Sequence, residues 1–141
     1  MVKSLNFADN KREYDLNGKV TVRFNPTDEG FIARLEDTFE SLDGLQNELA
    51  DGAGFAKFAE LDKDMRKRID ALLGDGVSDA LFEDMNCYAL ADGLPVWANL
   101  VLAILDEVSE AYDDEFGKTD SRVKSHTAKY DALMRKYRKG K

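Results

Sequence analysis

Few side chains in this sequence have the chemistry of a catalytic residue. Its single histidine, His126, lies in the polar segment Ser125-His126-Thr127, and its single cysteine, Cys87, lies in an apolar segment far from it. A catalytic histidine needs a nucleophile and an orienting acid beside it, and a reactive cysteine needs a basic neighbour. Neither pattern surrounds these two residues. We therefore expect no catalytic residue, and we predict that the protein is not an enzyme.

Acidic residues are numerous, but their spacing does not match a metal site. Asp62-Lys63-Asp64 opens like a calcium-binding EF-hand loop, yet Arg66 stands at the third ligand position and Lys67 where glycine is required. One histidine and one cysteine are too few for a structural zinc site. The glycine pairs at 52–54 and 74–76 lack the Gly-Lys-Ser/Thr sequence that holds phosphate. We expect no metal, no cofactor and no small-molecule substrate.

The charged residues are distributed unevenly along the chain. The formal net charge is −8, but residues 118–141 carry nine Lys or Arg against two Asp, whereas residues 1–117 carry eleven basic against twenty-six acidic side chains. An acidic body with a basic tail predicts that the tail contacts something acidic, which could be nucleic acid, a partner protein or the body itself. The candidate contact residues of the tail are Lys124, Lys129, Arg135, Lys136, Arg138 and Lys139.

The tail has two alternatives to a protein partner, and the first depends on the tyrosines that lie between its basic residues. Tyr130 and Tyr137 could stack on bases while the cations bind phosphates, as in a nucleic-acid-associated regulator. The acidic body would repel the same polymer, so nucleic acid is the disfavoured partner. A solubilising end without fixed structure is the other alternative. The spacing of Tyr130, Leu133, Met134 and Tyr137 also fits a short amphipathic helix over 127–138.

Length and composition indicate one globular domain with a tail. The chain has 141 residues, enough to bury about two-thirds of its unfolded surface. We predict a single domain over residues 1–117 and a basic C-terminal tail over residues 118–141. Residues 1–11 contain no apolar run that predicts a signal peptide or membrane anchor, and a lone cysteine suits a reducing compartment. We expect a cytoplasmic protein without a membrane partner.

A β-hairpin is predicted over residues 12–25. Asn17-Gly18 is the strongest short hairpin signal, because both central residues of the favoured turn need positive φ. Apolar residues alternate on both sides of it: Tyr14 and Leu16 before, and Val20, Val22 and Phe24 after. One face of the hairpin therefore needs a cover, since an isolated hairpin is barely stable in water.

Two amphipathic helices are predicted between residues 28 and 73. The first covers 28–49, with Thr27 as its N-cap, and residues 51–54 break it. Apolar residues at helical spacing predict the second from Phe55 to Leu73, closed by Gly74. Its solvent-exposed face is expected to carry Lys63, Arg66, Lys67 and Arg68.

A short helix and a long apolar helix complete the predicted body. The short one covers 79–88, with Ser78 or Asp75 as its cap and with Leu81, Phe82 and Met85 facing the core. The long one covers Leu94–Tyr112 and frays towards Gly117, with Pro95 in its first turn and Asp92 or Gly93 as its cap.

The long helix defines the predicted fold class. Its first half is apolar nearly all round, and it is too short to span a bilayer. We therefore place it at the centre of the molecule, where Trp97 belongs to the core. The prediction is a mainly α fold with an N-terminal β-hairpin, in which about four helices pack around the central helix at 94–112.

In this layout the chain resembles the tail assembly chaperones of siphophages and of related myophages and prophages of Gram-positive bacteria. The resemblance covers about residues 10–116: the segment YDLNGKVTVRFNPTDEGFIARLEDTFESL, the segment MRKRIDALLGDGVSDALF, and the long helix that follows. It implies a small, mostly helical, non-enzymatic protein that is absent from the finished virion. It also implies two partners: the tape measure protein, which such chaperones bind, and the tail tube subunits, which they recruit.

The resemblance supplies no motif residue that can be assigned to binding. A chaperone of a helical protein must offer a complementary apolar groove. The candidate contacts in the body are therefore the phenylalanines of the first two helices that the core does not use: Phe31, Phe39, Phe55 and Phe58. The sequence leaves a homo-oligomer open.

Overall fold

The computed structural model describes residues 1–45 and 54–139, without the side chains at positions 55, 130 and 137–139. Within these ranges the chain forms two antiparallel hairpins and four helices. The predicted fold class, mainly α with an N-terminal β-hairpin, is confirmed. Residue contacts divide the chain into two compact units, Met1–Val108 and Ser109–Lys141.

The N-terminal hairpin has the predicted position. Strand β1 (Arg12–Leu16) pairs antiparallel with β2 (Val20–Phe24), with Arg12 opposite Phe24 and Leu16 opposite Val20. Asn17 and Gly18 have φ values of 53° and 71°, and the Lys19 amide donates to the Leu16 carbonyl at 3.0 Å. The apolar face is covered as expected, because Val22 and Phe24 are buried.

Helix α1 (Glu29–Glu40) is shorter than predicted. The N-cap is Asp28, whose carboxylate accepts from the Gly30 amide at 3.0 Å, whereas Thr27 donates its amide and hydroxyl to the Asn25 side chain. The predicted Thr27 cap is therefore wrong. The predicted continuous helix over 28–49 is also wrong, since residues 41–44 form turns, and its predicted end at 49 lies outside the described residues. The Ser41 hydroxyl donates to the Thr38 carbonyl at 2.6 Å, which competes with the helical ladder. The predicted break lies almost wholly outside the described residues.

Helices α2 (Phe55–Leu73) and α3 (Val77–Phe82) are joined by a tight turn. The predicted range of α2 is confirmed, and Gly74 closes it with φ 131°. Helix α3 begins earlier and ends earlier than the predicted 79–88. Neither predicted cap is used: the N-cap is Gly76, and the Asp70 carboxylate of α2 accepts from the Ser78 amide at 2.8 Å.

The inward face of α3 is partly as predicted. Leu81 and Phe82 are buried, but Met85 lies beyond the end of the helix and is 43% exposed. The prediction that Met85 faces the core is therefore wrong.

A second hairpin precedes the long helix where the sequence predicted a helical turn. Strand β3 (Leu90–Ala91) pairs with β4 (Leu94–Pro95) around Asp92 and Gly93, whose φ values are 55° and 82°. Helix α4 (Val96–Lys139) therefore starts two residues later than predicted and has no Asp92 or Gly93 cap.

Backbone carbonyls satisfy the first amides of α4 instead of a side-chain cap. The Val96 amide donates to the Ala89 carbonyl at 2.8 Å, and the Trp97 amide donates to the Cys87 carbonyl at 3.1 Å. The first free amides of a helix need such acceptors. The loop 87–89 thus performs the role that we expected of a side chain.

The core of the first unit confirms the central position of the apolar helix. Trp97, Ala98 and Val101 have no exposed surface. Tyr88 contacts the Trp97 ring edge-on at 5.8 Å. On the hairpin side, Phe24 stacks between Tyr14 and Phe31, with ring centroids 4.7 and 4.5 Å away.

The second unit is helical over most of its length, and α4 does not end at Gly117 as predicted. The Thr119 hydroxyl donates to the Glu115 carbonyl at 3.1 Å across this glycine. A single glycine costs a helix only about 1 kcal/mol relative to alanine, so α4 continues through Gly117. The predicted short helix at 127–138 is part of this longer one.

Candidate binding surfaces

The first unit carries an apolar cleft beside the second hairpin. Its volume is about 400 Å³, and its lining comes from the tip of the first hairpin, from α3 and Met85, from β3 and from the first turns of α4. We call it the hairpin cleft. Its apolar lining is Leu16, Leu81, Phe82, Met85, Ala91, Val96, Leu100 and Ala103, and its polar lining is Asp15, Asn17, Lys19 and Asn99.

A second apolar groove, which we call the turn groove, also involves the second hairpin. Its volume is about 420 Å³, and its lining is Leu42, Asp43, Leu45, Leu90, Gly93, Leu94 and Pro95. The second hairpin contributes to both grooves, since Ala91 lines the hairpin cleft while Leu90 and Leu94 line the turn groove. Leu90 is 73% exposed. Such exposed apolar surface beside grooves is typical of a protein-binding site.

Polar contacts fix the elements around the hairpin cleft. Lys19 pairs with Glu83 at 2.7 Å, which links the first hairpin to the end of α3 and lowers the pKa of Glu83. The Asn99 side chain donates to the Ala91 carbonyl at 2.7 Å, which ties the second hairpin to α4. The cleft is therefore formed by elements that are held together independently of any ligand.

Arg66 holds the loop that follows α3. Its Nη2 donates to the carbonyls of Glu83 and Met85 at 2.9 and 2.8 Å, and its Nη1 bonds Asp79 at 2.8 Å. Its Nε bonds Asp62 at 3.0 Å. Only 16% of the Arg66 side chain is exposed, so the predicted solvent-exposed position of Arg66 is wrong. The guanidinium uses four of its five fixed donors in these bonds, which join α2 to α3 and to the loop that follows it.

Asp62 is one of the two carboxylates in this network. Its Oδ1 also accepts from the Cys87 amide at 2.8 Å. Burial alone would raise the pKa of Asp62, but the hydrogen bonds from Cys87 and the charge of Arg66 outweigh burial and lower it. Asp62, the first residue of the segment that resembles an EF-hand loop, therefore has a structural role as the partner of Arg66 and Cys87.

A second polar contact links the first hairpin to α4. The Tyr14 hydroxyl donates to Glu107 at 2.8 Å, and Arg12 pairs with the same carboxylate at 3.3 Å. Burial and the neighbouring Glu107 raise the pKa of Tyr14 to about 12, so this hydroxyl remains a donor throughout the neutral range.

Among the phenylalanines predicted as partner contacts, Phe31, Phe39 and Phe58 do not line either groove. Phe31 is 3% exposed in the core and offers a partner no surface in this structure. Phe39 and Phe58 are half-buried. The side chain of Phe55 lies outside the described residues. Their role in binding stays a prediction, while Leu90 and Met85 are the exposed apolar residues that the sequence reasoning missed.

The basic residues predicted for the tail lie on α4. Lys124, Lys129, Arg135 and Lys136 are exposed, and the side chains of Arg138 and Lys139 lie outside the described part. Apolar residues are exposed on the same helix: Phe116, Val123 and Leu133. This combination forms a third candidate surface, which lies within the second unit.

The single cysteine and the single histidine lie in different surroundings. Cys87 is fully buried, and burial, followed by the hydrogen bond and charge of Asp62, raises its pKa. His126 lies exposed in a shallow depression with Arg122, Ser125 and Lys129. In residues 1–45 and 54–139, no group of three or more His, Cys, Asp or Glu could hold a metal ion.

Comparisons with protein-family models, with curated proteins and with solved structures find no significant match for this chain. None of the helices that the structure describes is both long and apolar enough to cross a membrane.

Proposed function

We propose that this protein is a phage or prophage tail assembly chaperone that binds the tape measure protein and helps to recruit tail tube subunits. It acts by reversible binding, without catalysis, in the cytoplasm of the bacterial host, and it is absent from the mature virion. The layout of residues 10–116, quoted above, supports the family.

The observation that carries the binding role is the exposed apolar hairpin between two grooves. The hairpin cleft and the turn groove have similar volumes, of about 400 and 420 Å³, and Leu90 stands exposed on the hairpin. A tape measure protein presents apolar faces along helices, and grooves of this kind receive the apolar side chains of such a face. The grooves therefore supply the complementary surface that the proposed function needs.

Co-expression with the tape measure protein encoded beside its gene tests this function. We expect the tape measure protein to become soluble and to co-purify with the chaperone. A tape measure protein that is equally soluble and unassociated in both conditions would refute the proposal.

A matched pair of variants locates the contact. Leu90→Asp places a charge on the exposed hairpin and should abolish co-purification, while changing the free energy of unfolding by no more than about 0.5 kcal/mol. Val2→Asp introduces the same charge at a residue that is 97% exposed, and it should leave binding intact. Equal binding by the two variants would show that the second hairpin is not part of the interface.

A further inference from the structure

The helical unit Ser109–Lys141 exposes an apolar stripe. Phe116, Val123 and Leu133 are 68%, 58% and 52% exposed, and Met134 is half-buried. At 100° per residue these four positions fall within an arc of about 100°, the width of one helix face. From Phe116 to Met134 the stripe is about 27 Å long. It is therefore long enough to pack against another helix over several turns.

A row of cations borders this stripe on one side. Arg122, Lys129 and Lys136 are seven residues apart, and all three are exposed. If Phe116 and Val123 occupy the first core position of a seven-residue repeat, the three cations occupy the flanking position just before it. Residues at that position pair with charges on the partner helix. The three cations therefore favour a partner helix that has negative charges beside its apolar face.

A second copy of this helix does not satisfy the row. In a parallel pair each flanking residue faces the residue five positions later in the partner, which places Arg122 against Thr127, and Glu115 against Asp120. In an antiparallel pair the row of cations faces itself. Glu115 occupies the same flanking position, so in an antiparallel pair it can reach one cation of the partner's row. Either arrangement still leaves at least two of the three cations without a carboxylate. Charge complementarity instead favours a partner with acidic flanks.

We propose that residues 116–136 bind an amphipathic helix of a partner protein whose apolar face is bordered by Asp or Glu. Phe116, Val123, Leu133 and Met134 pack against its apolar side chains, while Arg122, Lys129 and Lys136 pair with its carboxylates. This partner class is defined by its chemistry, whether or not the partner is a tape measure protein.

The probe for this surface is a synthetic four-heptad peptide with Leu at its core positions and Glu at its flanking positions. The control peptide carries Lys in place of Glu. We expect the full-length protein to bind the acidic peptide at least about tenfold more tightly, measured by fluorescence anisotropy, and the preference to shrink as salt is added. The net charge of −8 would by itself favour the basic peptide, so a preference for the acidic one reports the local row.

Two triple variants with equal charge change test the row. Arg122→Glu/Lys129→Glu/Lys136→Glu should reverse the preference. Lys118→Glu/Lys124→Glu/Arg135→Glu alters cations at other positions of the seven-residue repeat and should preserve it. Equal behaviour of the two variants would show that only the total charge matters.

Two single variants test the stripe. Val123→Asp should weaken binding of the acidic peptide about tenfold or more. Ala128→Asp places the same charge on the opposite face and should leave binding unchanged. Circular dichroism shows whether both variants keep their helix, and a loss of binding in both despite intact helicity would contradict the proposal.

Three further results would overturn the proposal. One is equal binding of both peptides, and another is self-association that Val123→Asp abolishes, which would assign the stripe to a second copy. The third is displacement of the acidic peptide by a single-stranded oligonucleotide at equal concentration, which would assign the row to nucleic acid. Binding of the acidic peptide without binding of a tape measure protein would preserve this surface and refute the function proposed above.

Discussion

At the scale of single residues, Arg66 and Asp62 decide the position of the loop beside the hairpin cleft. Arg66 bonds two carbonyls and two carboxylates, and Asp62 in turn holds the Cys87 amide. The side chains of Arg66 and Asp62 are only 16% and 21% exposed, so solvent screens their interaction less than it screens a surface pair. Neutralising Asp62 takes from the largely buried Arg66 one of its two carboxylate partners and leaves only the more exposed Asp79.

We therefore expect Asp62→Asn to lower the free energy of unfolding by about 2 kcal/mol at neutral pH. The pKa of Asp62 is lowered in the folded protein, so its contribution is fully present above the unfolded value of about 3.9 and is lost as pH falls through the folded value. The difference between wild type and variant should narrow below about pH 4. Urea unfolding across that range measures it.

Asp64→Asn is the matched control for this prediction. Asp64 lies on the same helix and is exposed, so its variant should stay within about 0.5 kcal/mol of wild type at each pH. If the two variants were destabilised equally, the Arg66 network would have no special part in stability.

At the scale of elements, two glycines occupy different backbone conformations, and only one of these conformations requires a glycine. Gly93 has φ 82° in the turn of the second hairpin, whereas Gly117 lies inside α4, and a Cβ at either position would meet no atom within 4 Å. Substitution by alanine therefore tests the backbone conformation without a steric clash.

Gly93→Ala should destabilise the protein by roughly 1–2 kcal/mol, because an L-residue is strained at positive φ. Gly117→Ala should stabilise the helix by about 0.5–1 kcal/mol, because alanine loses less backbone freedom. Urea unfolding measures the first effect, and thermal loss of helical circular dichroism measures the second. Changes of the same sign would contradict the conformations assigned to these residues.

At the scale of the whole molecule, Trp97 lies in the core of the first unit and connects α4 to the loop before the second hairpin. It has no exposed surface, its amide bonds the Cys87 carbonyl, and its ring contacts Tyr88. Within the described residues its Nε1 is buried without a hydrogen-bond partner. Its contribution to stability therefore comes from packing more than from polar contacts.

Trp97→Ala should lower the free energy of unfolding by about 3–5 kcal/mol, because it leaves a large cavity in the core. Trp97→Phe should cost less, since it keeps an aromatic ring and removes the unpaired donor. Chemical denaturation measures both. A Trp97→Ala protein with unchanged stability but no partner binding would place this face of α4 in an interface.

Regular patterns in the sequence predicted the main elements, while the residues that line the two grooves were not predicted. The alternation around Asn17-Gly18 gave the first hairpin, and the spacing from Phe55 to Leu73 gave α2. The second hairpin also had a local signal, since Asp92-Gly93 is a favoured turn dipeptide, but the apolar run after Leu94 led to a helical prediction. The strands beside it are only two residues long, too short to show alternation.

The sequence by itself determined the parts of this protein that follow from local periodicity and turn chemistry. These are the first hairpin, the helical body and the apolar central helix, because one face of each is set by residues close in the chain. Only the tertiary structure decided the burial of Arg66, the start of α4 and the grooves beside Leu90. The start of α4 depends on the second hairpin, whose strands are too short to show alternation. The burial of Arg66 and the hairpin cleft depend on groups far apart in sequence, such as Arg66 with Met85 and Leu16 with Leu100. Such long-range contacts leave no regular spacing to read.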